Sequence, residues 1–348
     1  MSNYNYIKRI NDSLIPQVHL NWTVLDLFAG SGGLSLGFEV VGFPTTGYEK
    51  DSHAVETYNR NLKGRCFEQT LTSGTKFEIP YEVIIGGPPC QPFSVGGHQK
   101  GKKDERNGFP IFINAVRQLK PQLWLFENVR GMLYSNKEYF AEILRELTAE
   151  GYLIEYQLLN AVNYGVPQNR ERLFVVGHRS KFTFPPPEVN RVTVGDAIGD
   201  LIEIIQDDRK ILTPSMDRYV ANYERASQCL RPRDLYLDKP ARTLTCRNIA
   251  APTGDMQRVR LQEGKRRRLV VREAARLQSF PDWFEFCGTE TQQYYQIGNA
   301  VPPLLAYHLA TAVRNYLARE HRSESETIKK LIQPRPPHSL FTSMVKIF

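Results

Sequence analysis

The sequence predicts an α/β fold: a doubly wound, mostly parallel sheet followed by a smaller, irregular, partly β domain. Three observations predict it. Short apolar runs alternate with helix-length segments from Val24 to Glu150, the spacing of a parallel sheet with crossover helices. Two further apolar runs, Leu153 to Asn160 and Arg172 to His178, follow without a clear helix between them and suit an antiparallel pair at one edge. After His178 the texture changes, and no helical period holds from Val189 to Leu269.

Each element has its own warrant. Residues 1–22 are polar with scattered aromatics and read as a peripheral N-terminal extension. Val24-Leu25-Asp26-Leu27-Phe28 is an apolar strand, followed by a glycine turn and a helix from Leu34 to Val41. A second strand is expected near Thr45 to Tyr48, and a helix from about Ser52 to Asn61. Val83-Ile84-Ile85 is a third strand running into Gly86-Gly87-Pro88-Pro89. Helix Ile111 to Leu119, strand Leu123 to Phe126 and helix Lys137 to Glu150 complete the alternation. Phe184-Pro185-Pro186-Pro187 is a linker signal. Order returns at Val270 to Phe280 and in the helix-like Pro303 to Leu317. The first domain is therefore expected over 23–188 and the second over 189–285. Residues 286–320 return to the first, and 321–348 form a loosely held tail.

Composition narrows the function. In 348 residues, 41% hydrophobic and 24% charged content is globular and excludes a disordered chain. No stretch approaches about 18 consecutive apolar residues, so no membrane span is expected. The start, Met1 to Ile10, lacks the apolar core of a secretion signal. Lys and Arg total 45 against 37 Asp and Glu, and the net +8 favours a polyanionic partner. The cysteines are Cys66, Cys90, Cys229, Cys246 and Cys287, with no C-x-x-C pair. A structural zinc site and a disulfide framework are both disfavoured, no metal is expected, and a reducing cytosol fits.

The chemistry-bearing motifs sit at expected strand ends. Asp26 to Gly33 is a glycine turn directly after a strand, where backbone can approach a ligand closely. It suits NAD, a nucleotide or S-adenosylmethionine, or is only a tight turn. Without a P-loop Lys-Ser/Thr, nucleotide hydrolysis is disfavoured. Glu49 ends the next strand, where a carboxylate can accept both hydroxyls of a ribose, or it is a surface glutamate. In Gly86 to Ser94, two prolines stiffen the backbone before Cys90. A rigid mount suits a nucleophile, whereas most free cysteines are buried core residues. The run Val95 to Gly108, rich in Gly, Lys and Asp, reads as a loop able to close over a substrate. Glu127-Asn128-Val129 offers an acid at a strand end if burial raises its pKa, or a helix cap or salt bridge. Gln168, Arg170 and Arg172 share one strand face and could hold a phosphate, steady a thiolate or brace a carboxylate, or be solvated charge. Arg272 to Pro281 looks architectural. Gln296 to Pro303 is a turn into a helix that could return to the first glycine turn.

Taken together, these motifs resemble the DNA cytosine-C5 methyltransferases, the bacterial modification enzymes in particular. The match runs in order from about Val24 to Ala310. Amino-group DNA methyltransferases carry Asp/Asn-Pro-Pro-aromatic. Here the slot after Pro-Pro is Cys90, which points to carbon methylation. The resemblance implies a Rossmann-like S-adenosylmethionine-dependent methyltransferase sheet over 23–188. It implies a target-recognition domain over 189–285, with Thr243-Leu244 as its short Thr-Leu element.

It also implies roles. Cys90 thiolate would add to carbon 6 of a flipped-out cytosine while Glu127 supplies a hydrogen bond or proton at ring nitrogen 3. Carbon 5 would then take the methyl group, a base would remove the carbon 5 proton, and Cys90 would be eliminated. Arg172 and Arg170 would brace this site. Phe28 would lie against the adenine of S-adenosylmethionine, with Ala29, Gly30, Ser31, Gly32 and Gly33 holding the methionine part and Glu49 the ribose. Pro88, Asn299, Ala300 and Val301 would complete the pocket, and S-adenosylhomocysteine would be the product. Gln91, Ser94, Gln168, Thr243, Leu244, Arg247, Arg258 and Arg260 would face double-stranded DNA. Seven basic residues against Glu263 between Arg258 and Arg272 suit phosphate contact. The biological setting implied is a cytoplasmic monomer paired with a restriction endonuclease of the same specificity.

Three positions depart from the family. The slot of an acidic residue contacting the adenine amino group falls near Gln69 or Thr70, and Gln69 could accept that bond through its carbonyl oxygen. Lys50 and Phe109 stand where an apolar or aromatic residue and a Leu are usual. A transfer-RNA cytosine methyltransferase and a non-catalytic DNA-binding relative are the competing readings. A nicotinamide dehydrogenase is weaker still, because no hydride-transfer acid/base pair is present.

Overall fold

The computed structural model describes residues 5–89, 107–204, 210–228, 233–250, 252–262 and 264–332. Helix α1 (Tyr6–Ser13) comes first, capped by Asn5, whose side chain accepts from the Lys8 amide. The sequence reading made this segment peripheral, but Tyr6, Ile10 and Leu14 are all buried. They form one stripe at helical spacing. Tyr6 Oη donates to the Arg276 carbonyl at 2.6 Å, and the Asp282 amide donates to Asn11 Oδ1 at 2.6 Å. The stripe is only three residues long, which is why composition hid it.

The main sheet follows. Strand β1 (Val24–Leu27) leads to α2 (Gly33–Val41), β2 (Thr45–Glu49) to α3 (Ser52–Asn61), then come β3 (Arg65–Glu68) and β4 (Val83–Gly86). Helix α4 (Phe109–Leu119) precedes β5 (Leu123–Val129), and α5 (Lys137–Ala149) precedes β6 (Leu153–Asn160), the short β7 (Gln168–Asn169) and β8 (Glu171–His178). The seven-stranded order is β3-β2-β1-β4-β5-β8-β6. Strands β1 to β5 pair in parallel, whereas β8 is antiparallel to both β5 and β6, as the missing helix between the last two strands suggested. Strand β3 was not legible, because it buries only Cys66.

Side chains alternate across this sheet. Val24, Val83, Ile85, Leu123 and Leu125 pack on one face, and Leu25, Leu27, Ile84, Trp124 and Phe126 on the other. Burial on both faces explains why these strands read as continuous apolar runs. The chain leaves β1 toward β2 on one side and continues at β4 on the other. The crevice at their carboxyl ends is therefore the switch point where ligands bind in open α/β sheets.

The later region is less irregular than its sequence. It holds α6 (Val194–Ile198), α7 (Pro214–Ala226), β9 (Ala241–Arg242), α8 (Cys246–Ala250), β10 (Arg258–Arg260) and β11 (Arg266–Arg268). Helix α7 was missed because it buries only Val220. Its start signal was present: Thr213 caps the Met216 amide and Pro214 opens the helix. Strand β9 pairs in parallel with β7, so this region is joined by backbone ladder to the first domain. The chain then returns through α9 (Val271–Leu277), α10 (Glu290–Asn299) and α11 (Pro303–Ile332). Helix α11 crosses α2 closely: a Cβ on Gly37 would stand 2.4 Å from Ala306 carbonyl carbon and the Tyr307 amide nitrogen.

Candidate active site

The glycine turn after β1 is built on left-handed backbone. Gly30 and Gly32 have φ of +55° and +86°, and Phe28 has φ of +62°, which costs a side chain of this size conformational energy. Glu49 sits across the turn at the end of β2. Its Oε2 accepts from the Gly30 amide at 3.0 Å, and its Oε1 accepts from the Lys50 and Asp51 amides at 2.8 and 3.0 Å. Among the described residues the space above Gly30 is open, with no atom within 4 Å of an added Cβ. Ser31 is buried, and its hydroxyl finds no hydrogen-bond partner among the described residues.

Distant chain closes over this turn. A Cβ on Gly33 would stand 2.5 Å from the Val301 carbonyl oxygen and 3.3 Å from Ala300 Cβ. Ala300 and Val301 thus meet the Phe28–Gly33 turn, as the sequence suggested. Gln69 is exposed beside Glu49, its amide donating to the Glu49 carbonyl at 2.8 Å. Phe109 is buried edge-on to Phe126 and Tyr139. Beneath the turn lies Asp26, which sequence reasoning left without a role. It is buried and accepts from Ser35 Oγ at 2.6 Å. Burial pushes its carboxyl up to about 7 against the pull of Ser35, and nearby Glu49 adds to the rise.

The second constellation joins β4, β5 and β8. Glu127 and Arg172 stand near the end of the β5–β8 ladder, where Val129 pairs with Arg172. Arg172 Nε is 2.9 Å from Glu127 Oε1. Burial raises the Glu127 carboxyl above the usual range, while Arg172 and then Arg170 draw it back down. Glu127 Oε2 is 3.7 Å from where a Gly87 Cβ would be, so the acid lies beside the β4 end that leads into Pro88 and Pro89. Asn128 anchors that segment, donating from Nδ2 to the Pro88 carbonyl at 3.0 Å. The strand-end Glu-Asn pair was read for its glutamate, and the anchoring asparagine was missed. Cys90, Gln91 and Ser94, with the 95–106 part of the expected loop, lie outside the described residues.

Arg170, expected with Arg172 to brace this site, makes its contacts with backbone carbonyls. It is 1% exposed, and its guanidinium donates to three carbonyls: Leu244 at 2.8 Å, Gly298 at 3.1 Å and Ala300 at 3.1 Å. Its role is to hold backbone, and it reaches Glu127 only through space.

The expected DNA-facing residues divide. Gln168, Leu244 and Arg258 are fully buried, which corrects the expectation that they touch DNA. Gln168 Nε2 donates to Leu277 O and Gln278 Oε1, and its Oε1 accepts from the Leu244 amide. Arg258 pairs with Asp234 at 2.7 Å and Glu224 at 2.6 Å. Thr243 is half-buried and donates to the Asn169 carbonyl at 2.7 Å. Arg247 is exposed on α8 with no hydrogen bond or ion pair among the described residues. Arg260 is exposed but paired with Asp234 at 3.0 Å. Other arginines of the basic run are also spent internally: Arg266 on Asp217, and Arg267 on buried Glu273 at 2.7 Å. Charge density in the sequence could not distinguish an internal ion-pair frame from a phosphate-binding face.

Comparison with known proteins agrees with this geometry. The profile described as C-5 cytosine-specific DNA methylase matches residues 22–315. The chain is 56% identical to the Type II methyltransferase M.AplI of Arthrospira platensis over 293 residues, covering 84% of this chain and 85% of that one. It is 36% identical to the Type II methyltransferase M.FnuDI of Fusobacterium nucleatum over 343 residues, covering 90% and 98%. Among solved structures, the Entamoeba histolytica methyltransferase EhMeth has the same fold, with a TM-score of 0.67 and 18% identity over 86% of this chain and 99% of its own. With its glycine turn, its Glu-Asn-Val acid and its arginine-braced strand pair, the chain belongs to the C-5 cytosine-specific DNA methylases.

Proposed function

We propose that this protein transfers a methyl group from S-adenosylmethionine to carbon 5 of a flipped-out cytosine in duplex DNA, releasing S-adenosylhomocysteine. In the cell it would act in the cytoplasm, as a monomer, shielding DNA from a restriction endonuclease of the same specificity. Among the described residues no helix is long and apolar enough to cross a membrane. The observation that carries the reading is a juxtaposition: the Glu127–Arg172 pair stands beside the strand end that leads through Pro88 and Pro89 to Cys90.

The glycine turn fits an S-adenosyl group. The open space above Gly30 admits a ligand at backbone distance, and the unpartnered Ser31 hydroxyl offers it a hydrogen bond. Glu49 faces the same turn and suits the ribose, Phe28 suits the adenine, and Ala300 with Val301 close the far side. When bound, the group supplies an electrophilic methyl on sulfur. Everything else is the work of the chain. Cys90 as thiolate forms a bond to carbon 6, and the electron pair this releases makes carbon 5 nucleophilic. Glu127 holds a proton toward ring nitrogen 3, which burial of its carboxyl favours. Arg172 fixes the orientation of that carboxyl. After methyl transfer a base takes the carbon 5 proton, the carbon 6–sulfur bond breaks, and Cys90 leaves as thiolate.

Base-resolution methylation sequencing of DNA from a methylation-free host tests the reading, with a Cys90→Ala control beside the wild type. The expected result is 5-methylcytosine confined to one short motif and absent in the control. Soluble wild-type protein with an unmodified genome would overturn it.

A further inference from the structure

Arg170 is a buried cation without a carboxylate in contact among the described residues. Such an arrangement is costly, and apolar packing at the same place would stabilise as well or better. Its Nε also finds no acceptor among the described residues. What the guanidinium does is join separate backbone segments. One is Thr243 to Cys246, at the head of α8, held through the Leu244 carbonyl. The other is the Ile297–Ala300 turn at the end of α10, held through the Gly298 and Ala300 carbonyls.

Three independent contacts reinforce the same junction. Gln168, two residues before Arg170, accepts from the Leu244 amide and donates to Gln278. Gln278 Nε2 in turn donates to Ile297 O at 2.9 Å and Ala300 O at 3.0 Å. Cys246 Sγ donates to Asn299 Oδ1 at 3.0 Å. The backbones themselves touch: a Cβ on Gly298 would stand 2.5 Å from the Cys246 amide nitrogen. The β7–β9 ladder runs beside this knot, pairing Gln168 with Ala241.

We infer that Arg170, with Gln168 and Gln278, is a positioning group that holds the Thr243–Cys246 segment and the Ile297–Ala300 turn in one fixed relation, and thereby couples DNA binding to cofactor binding. The inference rests on the proposed function, with duplex DNA beside the first segment at exposed Arg247, the residue after Cys246, and the S-adenosyl group beside the second at Ala300. Ala300 lies on the glycine turn at Gly33, so any shift of the α8 head is felt at the cofactor pocket through a single guanidinium. Coupling of this kind is reciprocal: whatever factor DNA adds to cofactor affinity, cofactor adds to DNA affinity.

The test is titration of S-adenosylhomocysteine, the unreactive product, by calorimetry. It is run with and without a duplex carrying the motif that methylation sequencing identifies. In the wild type, DNA should tighten S-adenosylhomocysteine by about tenfold, within the usual range for coupled sites. In Arg170→Lys, whose compact ammonium lacks the planar fork that spans two separate segments, the factor should fall to about 2 or less. Cys246→Ala removes the Sγ links to Asn299 Oδ1 and the Tyr295 carbonyl, buries no orphaned charge, and should give a factor between the two. A merely structural role would lower stability and both affinities together and leave their ratio unmoved. If Arg170→Lys fails to fold, an unchanged factor in Cys246→Ala overturns the inference. A wild type in which DNA leaves S-adenosylhomocysteine affinity unaltered also overturns it. A wild type that does not bind S-adenosylhomocysteine at all overturns the proposed function itself, a separate result.

Discussion

Arg172 Nε lies 2.9 Å from Glu127 Oε1, across an antiparallel strand pair, with both side chains only 13% exposed. Burial and the guanidinium act on the carboxyl in opposite directions, and burial wins. An acid held this way keeps its proton to higher pH than a surface glutamate and stays oriented after losing it.

Replacing Glu127 by Gln should therefore lower single-turnover methyl transfer by about 10²–10⁴, the usual worth of a positioned acid. Arg172→Gln removes the strongest downward pull on the Glu127 pKa, so that pKa rises further. A reaction that needs the proton is lost as pH rises through it. In Arg172→Gln the alkaline limb of the rate profile should move to higher pH, alongside a lower maximum. A limb that stays in place would show that Glu127 is not the titrating acid.

The crossing of α2 and α11 has no room at Gly37, because an added Cβ would meet Ala306 and Tyr307 backbone at 2.4 Å. Backbone cannot swing aside as a flexible side chain can. Gly37→Ala should cost about 1–3 kcal/mol in urea unfolding. Gly74→Ala, whose Cβ would meet only Thr72 Oγ1 at 3.8 Å, should stay within about 0.5 kcal/mol.

Arg258 and Arg247 should behave in opposite ways. Arg258→Ala leaves Asp234 and Glu224 without their buried partner, and should cost about 3–5 kcal/mol of stability. Arg247→Ala should leave the melting temperature unchanged. It should reduce the slope of log affinity for DNA against log salt by about 1, as expected for one lost phosphate contact. Paired melting curves and salt titrations separate the two.

Glu188 gathers Arg9 and His308, with Arg9 Nη1 at 2.8 Å and His308 Nε2 at 2.9 Å. Burial alone would raise its carboxyl. The His308 hydrogen bond, followed by Arg9, outweighs burial and holds the pKa at about 2. A depressed carboxylate stabilises fully above its unfolded pKa, and that contribution is lost as pH falls through the folded one. Glu188→Gln should be less stable than wild type at neutral pH by about 1–2 kcal/mol. The difference should shrink between pH 4.5 and 2 and vanish below. A constant difference across acid unfolding curves would contradict this.

Much of the fold was legible because its strands are buried on both faces, so Val83-Ile84-Ile85 and Leu123 to Phe126 read as strands without help from their neighbours. The edge strand at Arg65 to Glu68 was not, since one buried cysteine gives no pattern. Helix α7 escaped for the same reason, with Val220 alone facing inward. At the site, residues at strand ends were found by position: Glu49, Glu127 and the glycine turn all stand where the alternation of strand and helix put them. The arginines were misjudged. Arg258, Arg260 and Arg247 look alike in a sequence, and only the location of Asp234 and Glu224, 24 and 34 residues from Arg258, shows which of them is already paired. Gln168 and Arg170 were picked out by their motif, but their partners lie 74 to 130 residues away on segments whose placement only the fold supplies.

The docking of α1 bears on how the chain is made. Tyr6 finds the carbonyl of Arg276 270 residues further on, and Arg9 finds Glu188 179 residues on. A ribosome delivers these partners long after the first helix has emerged. Until Glu188 and α6 have emerged the first helix lacks these neighbours, and domains generally fold from the N-terminus as they appear. Here a segment made early settles only after chain far downstream has appeared. A nascent chain stalled before Glu188 would carry the complete seven-stranded sheet and an undocked apolar helix, a species suited to chaperone capture. The contacts of the first helix close only when chain far downstream has come back to it.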